Sequence, residues 1–180
     1  SGERIDIIRN AWDFLGFNYY SRTLVRAGTE EFLHEDKSLT RKDSLGLTDM
    51  GYEIYPQGIY QVIKWLKEYN KPIYITENGI AVKDDNLRAM SIVLHLEQVH
   101  KAIREGANVQ AYYYWSLIDN FEWSSGFSKK FGLVEVDYKT LKRSPRPSSQ
   151  VYKEIIRNNG ITTDMLKKYR EMAGKQKGKT

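Results

Sequence analysis

Apolar residues recur with two different periods along the chain, and the changes of period mark out the elements. Asp13-Phe14-Leu15-Gly16-Phe17-Asn18-Tyr19-Tyr20 is an aromatic and aliphatic run that turns polar at its end, as a buried strand does. Residues 21–55 hold no sustained period and read as a long loop, which in a compact domain is usually functional or an excursion. Pro56 opens a helix with Ile59, Val62, Ile63 and Leu66 at helical spacing, and Asn70-Lys71-Pro72 stops it. Ile73 to Thr76 is the next strand. Asp84 and Asp85 start a long helix, acids where the helix dipole favours them, with Ile92, Leu96, Val99 and Ile103 along one face and Gly106 at its C-cap. Val109 to Tyr114 reads as a strand, Leu133 to Tyr138 as a short one after a loop, and Pro147-Ser148 begin a last helix that ends at Asn159-Gly160.

This alternation of strands and helices predicts an α/β protein, a parallel sheet with crossover helices. It closes either as a small open doubly wound sheet or as part of an eight-stranded barrel, which needs about 250 residues. In both, chemistry gathers at the carboxyl ends of the strands. Those ends are Asn18-Tyr19-Tyr20, Thr76-Glu77-Asn78 and Tyr114-Trp115-Ser116. Each taken singly reads equally well as a strand running out into solvent. Glu77 is the only acid close to its strand end, and such a carboxylate serves as base, metal ligand or nucleophile. A metal would want a second acid or His at another tip, and the sequence offers none. His95 and His100 fall inside the long helix, in packing or surface roles, and His34 lies unassigned in the loop. The stretch Trp115-Ser116-Leu117-Ile118-Asp119-Asn120-Phe121-Glu122-Trp123 puts two Trp and a Glu after a strand. Trp faces stack on the C–H faces of sugars and Glu accepts paired hydroxyl hydrogen bonds, although Trp also fills loop rims. With one isolated acid, the set suggests a neutral, polyhydroxylated substrate.

Composition narrows the classes. The chain has 180 residues, 41% hydrophobic and 28% charged, which suits one globular domain. No apolar run approaches the roughly 20 residues of a membrane span. Absence of Cys excludes disulfides, thiolate metal sites and cysteine nucleophiles, and leans the location towards the cytoplasm. The chain opens Ser1-Gly2-Glu3-Arg4, without Met or signal sequence, as either a cloning remnant or an internal cut would leave it, so this end does not report location. The division expected is a body over 1–160 and a basic tail over 161–180. Lys167, Lys168, Arg170, Lys175, Lys177 and Lys179 supply much of the +5 net charge and read as a solvated, frayed terminus rather than a nucleic-acid arm.

Five stretches, in order, resemble the family-one glycoside hydrolases, the retaining β-glucosidases and β-galactosidases. They are DFLGFNYYS (13–21), TDMGYEIYPQG (48–58), YITENGI (74–80), YYYWSLIDNFEWSSGFSKKFGLVEVDY (112–138) and RPSSQVYKEII (146–156). The resemblance implies the C-terminal portion, about strands six to eight, of a (β/α)8 TIM barrel. It implies hydrolysis of small β-D-glucosides or β-galactosides through a glycosyl-enzyme on Glu77, with Tyr20 orienting that nucleophile and Asn18 beside it. Trp115, Glu122 and Trp123 match the glycone site, Trp115 stacking under the sugar and Glu122 gripping its 4- and 6-hydroxyls; Phe131 matches a further pocket aromatic. Tyr52 stands where the family has Trp, on the leaving-group side. No cofactor and no metal is implied. The partners implied are a small β-glycoside or oligosaccharide and the missing N-terminal part of the barrel, on the same or a separate chain, with no nucleic acid and no membrane span. The family's general acid lies in an Asn-Glu-Pro motif, which this sequence lacks, so the resemblance supplies the attacking carboxylate only; Glu53 and Glu122 are the nearest substitutes. The other readings are a non-catalytic carbohydrate-binding barrel fragment and an independent doubly wound domain.

Overall fold

The computed structural model describes residues 11–27, 33–35 and 43–177. In chain order come strands β1 (Leu15–Tyr19), β2 (Val25–Ala27) and β3 (Leu33–Glu35), helix α1 (Pro56–Leu66), β4 (Ile73–Asn78), helix α2 (Asp85–Arg104), β5 (Val109–Tyr114), β6 (Val134–Val136) and β7 (Arg143–Pro145). Helices α3 (Pro147–Asn158) and α4 (Thr163–Lys177) follow. The alternation is realised as expected: β1, β4 and β5 form a parallel sheet in the order β1-β4-β5, with α1 and α2 as crossovers. The described residues form no closed barrel. Two short antiparallel ribbons, β2–β3 and β6–β7, accompany the sheet. The first lies inside the span expected to be featureless loop, and β7 had no sequence signal because Arg143-Ser144-Pro145 carries no apolar alternation.

Local chemistry sets the helix boundaries. Pro56 and Pro147 occupy first-turn positions, where a missing N–H costs nothing. The Asp84 carboxylate caps α2 by accepting from Asn86 N–H at 2.9 Å, and Lys101 and Arg104 fill its last turn. Asn70 and Asn159, both left-handed, end the helical segments before β4 and after α3. Gly106, at φ +85°, follows the C-cap of α2.

The helices cover one face of the sheet. Tyr19, Ile73 and Ile75 pack with Ile59, Ile63 and Leu66 of α1 and with Val99 and Ala102 of α2. Each fully buried Ile in that layer contributes roughly 1.5–3 kcal/mol relative to exposure. On the other face Gly16 and Asn18 of β1 and Thr76 of β4 are exposed. One face of the sheet is covered, because α1 and α2 lie on one side and the described residues supply no layer for the other. A second core joins Met90, Ile92 and Val93 of α2 to Leu45, Ile54, Ile80, Leu133 and Ile155.

Two further expectations change. Residues 88–95 of α2 are buried without a break, because other elements surround this half of the helix, while Ile103 at its far end is exposed. His95 is a packing residue: its Nδ1 lies 2.8 Å from the Ser91 carbonyl, and burial pushes its pKa down to about 4. His100 is exposed. The basic terminus is not frayed over its described length. It forms α4, whose Met165, Tyr169 and Ala173 recur every four residues and dock in the second core while Lys167, Lys168 and Arg170 face solvent. Arg170 pairs with Glu97 of α2. Ser1–Arg4 and Lys179 lie outside the described residues.

Gly58 of α1 is fixed by a close approach. A Cβ there would stand 2.0 Å from the Tyr19 hydroxyl, which donates to the Tyr55 carbonyl at 2.6 Å. We expect Gly58→Ala to destabilise by about 1–3 kcal/mol through overpacking, although an unhindered helix would gain about 1 kcal/mol from the same change. Denaturant unfolding checks it; a stabilised variant would show that the Tyr19 ring moves aside freely.

Candidate active site

Strict alternation along β4 would put Glu77 on the same face as Ile73 and Ile75, against the helices. The pairing shows why it is not there. Phe17 pairs Ile75 but Asn18 pairs Glu77, and on the other side Ile75 pairs Tyr112 but Asn78 pairs Tyr114. β4 thus carries one residue more than either neighbour between Ile75 and Asn78. Such a bulge turns the following side chains to the opposite face. Asn78 takes the buried position and Glu77 becomes half-exposed.

The three strand tips then meet through side chains. Tyr20 donates its hydroxyl to Glu77 Oε2 at 2.6 Å. Burial, followed by that hydrogen bond and the charges of Glu77 and Glu122, pushes the Tyr20 phenol pKa far up, so it stays a donor. Phe131 stands edge-on to Tyr20, ring centroids 6.1 Å apart, and is buried. Thr76 donates to Asn18 Oδ1 at 2.6 Å, which places Asn18 one strand over from Glu77. Trp115 is half-buried, and its N–H donates to the Asn78 carbonyl at 2.9 Å. Gly79 makes that approach possible, since a Cβ there would lie 1.8 Å from the Trp115 carbonyl oxygen.

The loop after β5 is held at its root by charge. Buried Asp119 accepts from Arg146 Nη1 at 3.0 Å and Nη2 at 2.9 Å, and from the Gly132 N–H at 2.9 Å. Burial alone would raise the Asp119 pKa, but the Arg146 hydrogen bonds, the backbone donors and the Arg146 charge hold it below the ordinary carboxylate range. Arg88, fully buried in α2, donates to Val82 O at 2.7 Å and Lys130 O at 2.8 Å, tying the exit of β4 to the end of the same loop. Beyond these anchors the loop opens. Glu122 is half-buried, whereas Trp123 is 83% exposed. Burial, and after it the nearby Glu77 charge, raise the Glu122 pKa.

The structure therefore brings Tyr20, Glu77, Asn18, Phe131, Trp115 and Glu122 to one end of the sheet. Tyr52 is 42% exposed in the turn that follows Thr48. Glu53 is committed elsewhere: Arg22 grips both its oxygens, at 2.8 and 2.9 Å, and lies over the Tyr55 ring. Among the described residues no group of three or more His, Asp and Glu is arranged to hold a metal ion. Asn78, Arg88, Asp119 and Arg146 escape a sequence reading. Asn78 and Asp119 stand inside the motif stretches with no feature to single them out, and Arg88 is a cation within an otherwise apolar helical stretch.

Comparison with known proteins places the chain in a family. The profile of the family described as Glycosyl hydrolase family 1 matches residues 1–161. The chain is 44% identical to a beta-galactosidase of Sulfolobus acidocaldarius, over 88% of this chain and 34% of that protein. It is 43% identical to Beta-glucosidase A of Thermotoga maritima, over 86% and 36%. Among solved structures it superposes on a beta-glycosidase from Pyrococcus horikoshii with a TM-score of 0.81 at 46% identity, covering 87% of this chain and 37% of that one. A Thermotoga maritima beta-glucosidase in complex with glucoimidazole gives 0.79 at 40% identity, covering 88% and 38%. The chain thus spans about a third of the length of the relatives it matches.

The proximity of Glu122 to Glu77 has a titration consequence. Replacing Glu77 by Gln removes a negative charge that disfavours ionised Glu122, so the Glu122 pKa falls. Carbon-13 titration of the Glu122 carboxyl in Glu77→Gln checks this, and an unmoved midpoint would show that the two carboxyls do not share a site.

Proposed function

The chain belongs to glycosyl hydrolase family 1, and we propose that it is the C-terminal segment of a retaining β-glycosidase, corresponding to about strands six to eight of a (β/α)8 barrel. Glu77 is the nucleophile. The observation that carries this is the 2.6 Å hydrogen bond from Tyr20 to Glu77 at the tip of the bulged central strand. It fixes one carboxylate oxygen with a charge-assisted bond, worth roughly 1.5–3 kcal/mol, and leaves the other for attack on an anomeric carbon. Trp115 offers an apolar face for the glycone and Glu122 acceptors for its hydroxyls. Tyr52 borders the leaving group.

Retaining hydrolysis needs a second carboxyl about 5–5.5 Å from the first, to protonate the leaving oxygen and later to activate water. Glu53 is occupied by Arg22, and Glu122 belongs to the glycone side. The acid/base therefore comes from the remainder of the barrel, which also closes the sheet. The substrates are small β-glucosides, β-galactosides or their oligosaccharides, and the chemistry requires no cofactor.

Treatment of the intact protein with a 2-deoxy-2-fluoro β-glycoside should trap a covalent glycosyl ester on Glu77, found by peptide mass mapping. A label on any other residue overturns the assignment, and sugar binding without labelling or turnover would favour a carbohydrate-binding barrel fragment instead.

The isolated 180 residues should behave differently. Phe14, Tyr113, Leu117, Phe121 and Trp123 are all more than half exposed, and among the described residues both edges of the parallel sheet are unpaired. We expect self-association in gel filtration, above the 21.1 kDa of the monomer, and no turnover of an aryl glycoside. Loss of the acid alone costs about 10²–10⁴ in rate. A cooperatively melting monomer that hydrolyses substrate unaided would require a second carboxylate from within this chain.

A further inference from the structure

One buried residue, through its side chain and its backbone, links the three strands that carry the site. The Asn78 amide Nδ2 donates to the Tyr19 carbonyl at 2.8 Å, and its Oδ1 accepts from the Tyr112 hydroxyl at 2.7 Å. Its backbone carbonyl accepts from Trp115 N–H at 2.9 Å. The residue is 2% exposed. Asn78 follows Glu77, and two of its three partners belong to or adjoin the proposed site: Tyr19 precedes Tyr20, and Trp115 is itself the glycone platform, while Tyr112 lies three residues before Trp115 on β5. Burial pushes the Tyr112 phenol well up, so it remains a donor to Asn78.

We infer that Asn78 is a positioning residue for the Tyr20–Glu77 pair, locking the bulge of β4 against β1 and β5 so that phenol and carboxylate meet. The inference rests on the glycosidase reading of the site. A carboxamide suits the task because it both donates and accepts across one rigid plane. Here its donor reaches β1 and its acceptor reaches β5, and neither is exchanged for water in the buried setting. The extra residue in β4 shifts the register on both sides between Ile75 and Asn78, and pairing resumes at Asn78, opposite Tyr19 of β1 and Tyr114 of β5. The Asn78 side chain adds a link to each neighbouring strand at the position where pairing resumes.

The consequence is a particular kinetic signature. A nucleophile that drifts by about 1 Å loses roughly 100-fold in rate, while the glycone contacts of Trp115 and Glu122 lie on the loop anchored separately by Asp119 and Arg146. Asn78→Ala in the intact protein should therefore lower the rate constant for fluoroglycoside labelling of Glu77 roughly 100-fold, with the inhibitor's binding constant changed less than about threefold after normalisation to folded protein. Tyr112→Phe, which keeps the ring and removes only the donor to Oδ1, should move the same rate constant in the same direction by a smaller factor, and carries the test if Asn78→Ala does not fold. The decisive comparison combines each variant with Tyr20→Phe. If Asn78 acts through the Tyr20–Glu77 contact, each double variant is about as slow as its slower single variant. Losses that multiply, or a loss seen wholly in binding, overturn the inference while leaving Glu77 as the labelled nucleophile. A parent protein that is not labelled at Glu77 overturns the reading of the site, and this inference with it.

Discussion

The extra residue in the central strand, together with the carboxamide that ties the strand beyond it to both neighbours, is the constraint on which the remainder of the site depends. In a regular parallel strand Glu77 would share a face with Ile73 and Ile75 and be buried against α1 and α2, where an unpaired carboxylate is costly. The bulge exchanges that position for Asn78, whose polar atoms find partners on both neighbouring strands. A buried amide replaces a buried charge, and the charge moves to the open end of the sheet. The same shift brings Gly79 under the Trp115 carbonyl, where only a residue without a Cβ fits. Trp115 and Glu77 are thus both placed by one local irregularity.

Around this point the fold separates two kinds of holding force. The helix side is held by apolar burial: Ile59, Ile63, Ile73 and Ile75 have no exposed surface. The loops at the strand ends are held by arginines. Arg88 reaches from α2 to the carbonyls of Val82 and Lys130, Arg146 reaches from the start of α3 to Asp119, and Arg22 holds Glu53. A loop that must leave polar groups and aromatic faces open to a substrate cannot bury much apolar area itself. Planar guanidinium groups, donating in several directions at once, anchor the loop roots instead. Glu53 and Asp119 are so engaged, whereas Glu77 and Glu122 lie half-buried at the open end of the sheet.

Much was legible along the chain. The periods of Ile59, Val62, Ile63 and Leu66, of Ile73 to Thr76, and of Val109 to Tyr114 identify α1, β4 and β5, because side-chain alternation and helical spacing are local properties. Pro56, Pro147, Asp84 and Gly106 mark the helix ends for equally local reasons. The types of residue at the strand tips, an isolated Glu beside Tyr, Trp and a second Glu, mark the candidate site, and the order of five motifs states the family.

What the sequence left open are the relations between distant residues. Arg170 in the basic terminus reads as solvated charge, yet Met165, Tyr169 and Ala173 dock beside it, because their fourfold spacing gains meaning only when α2 presents a surface to receive them. β7 has no apolar alternation and exists because β6 lies opposite it. The bulge is a difference in residue count between β4 and its neighbours, and a single strand cannot reveal it. Asn78 joins residues 59 and 34 positions away. The sequence by itself determined which side chains are available and which local elements carry them; the tertiary structure alone decided which face Glu77 occupies and which groups hold it there, since both are set by register between strands far apart in the chain.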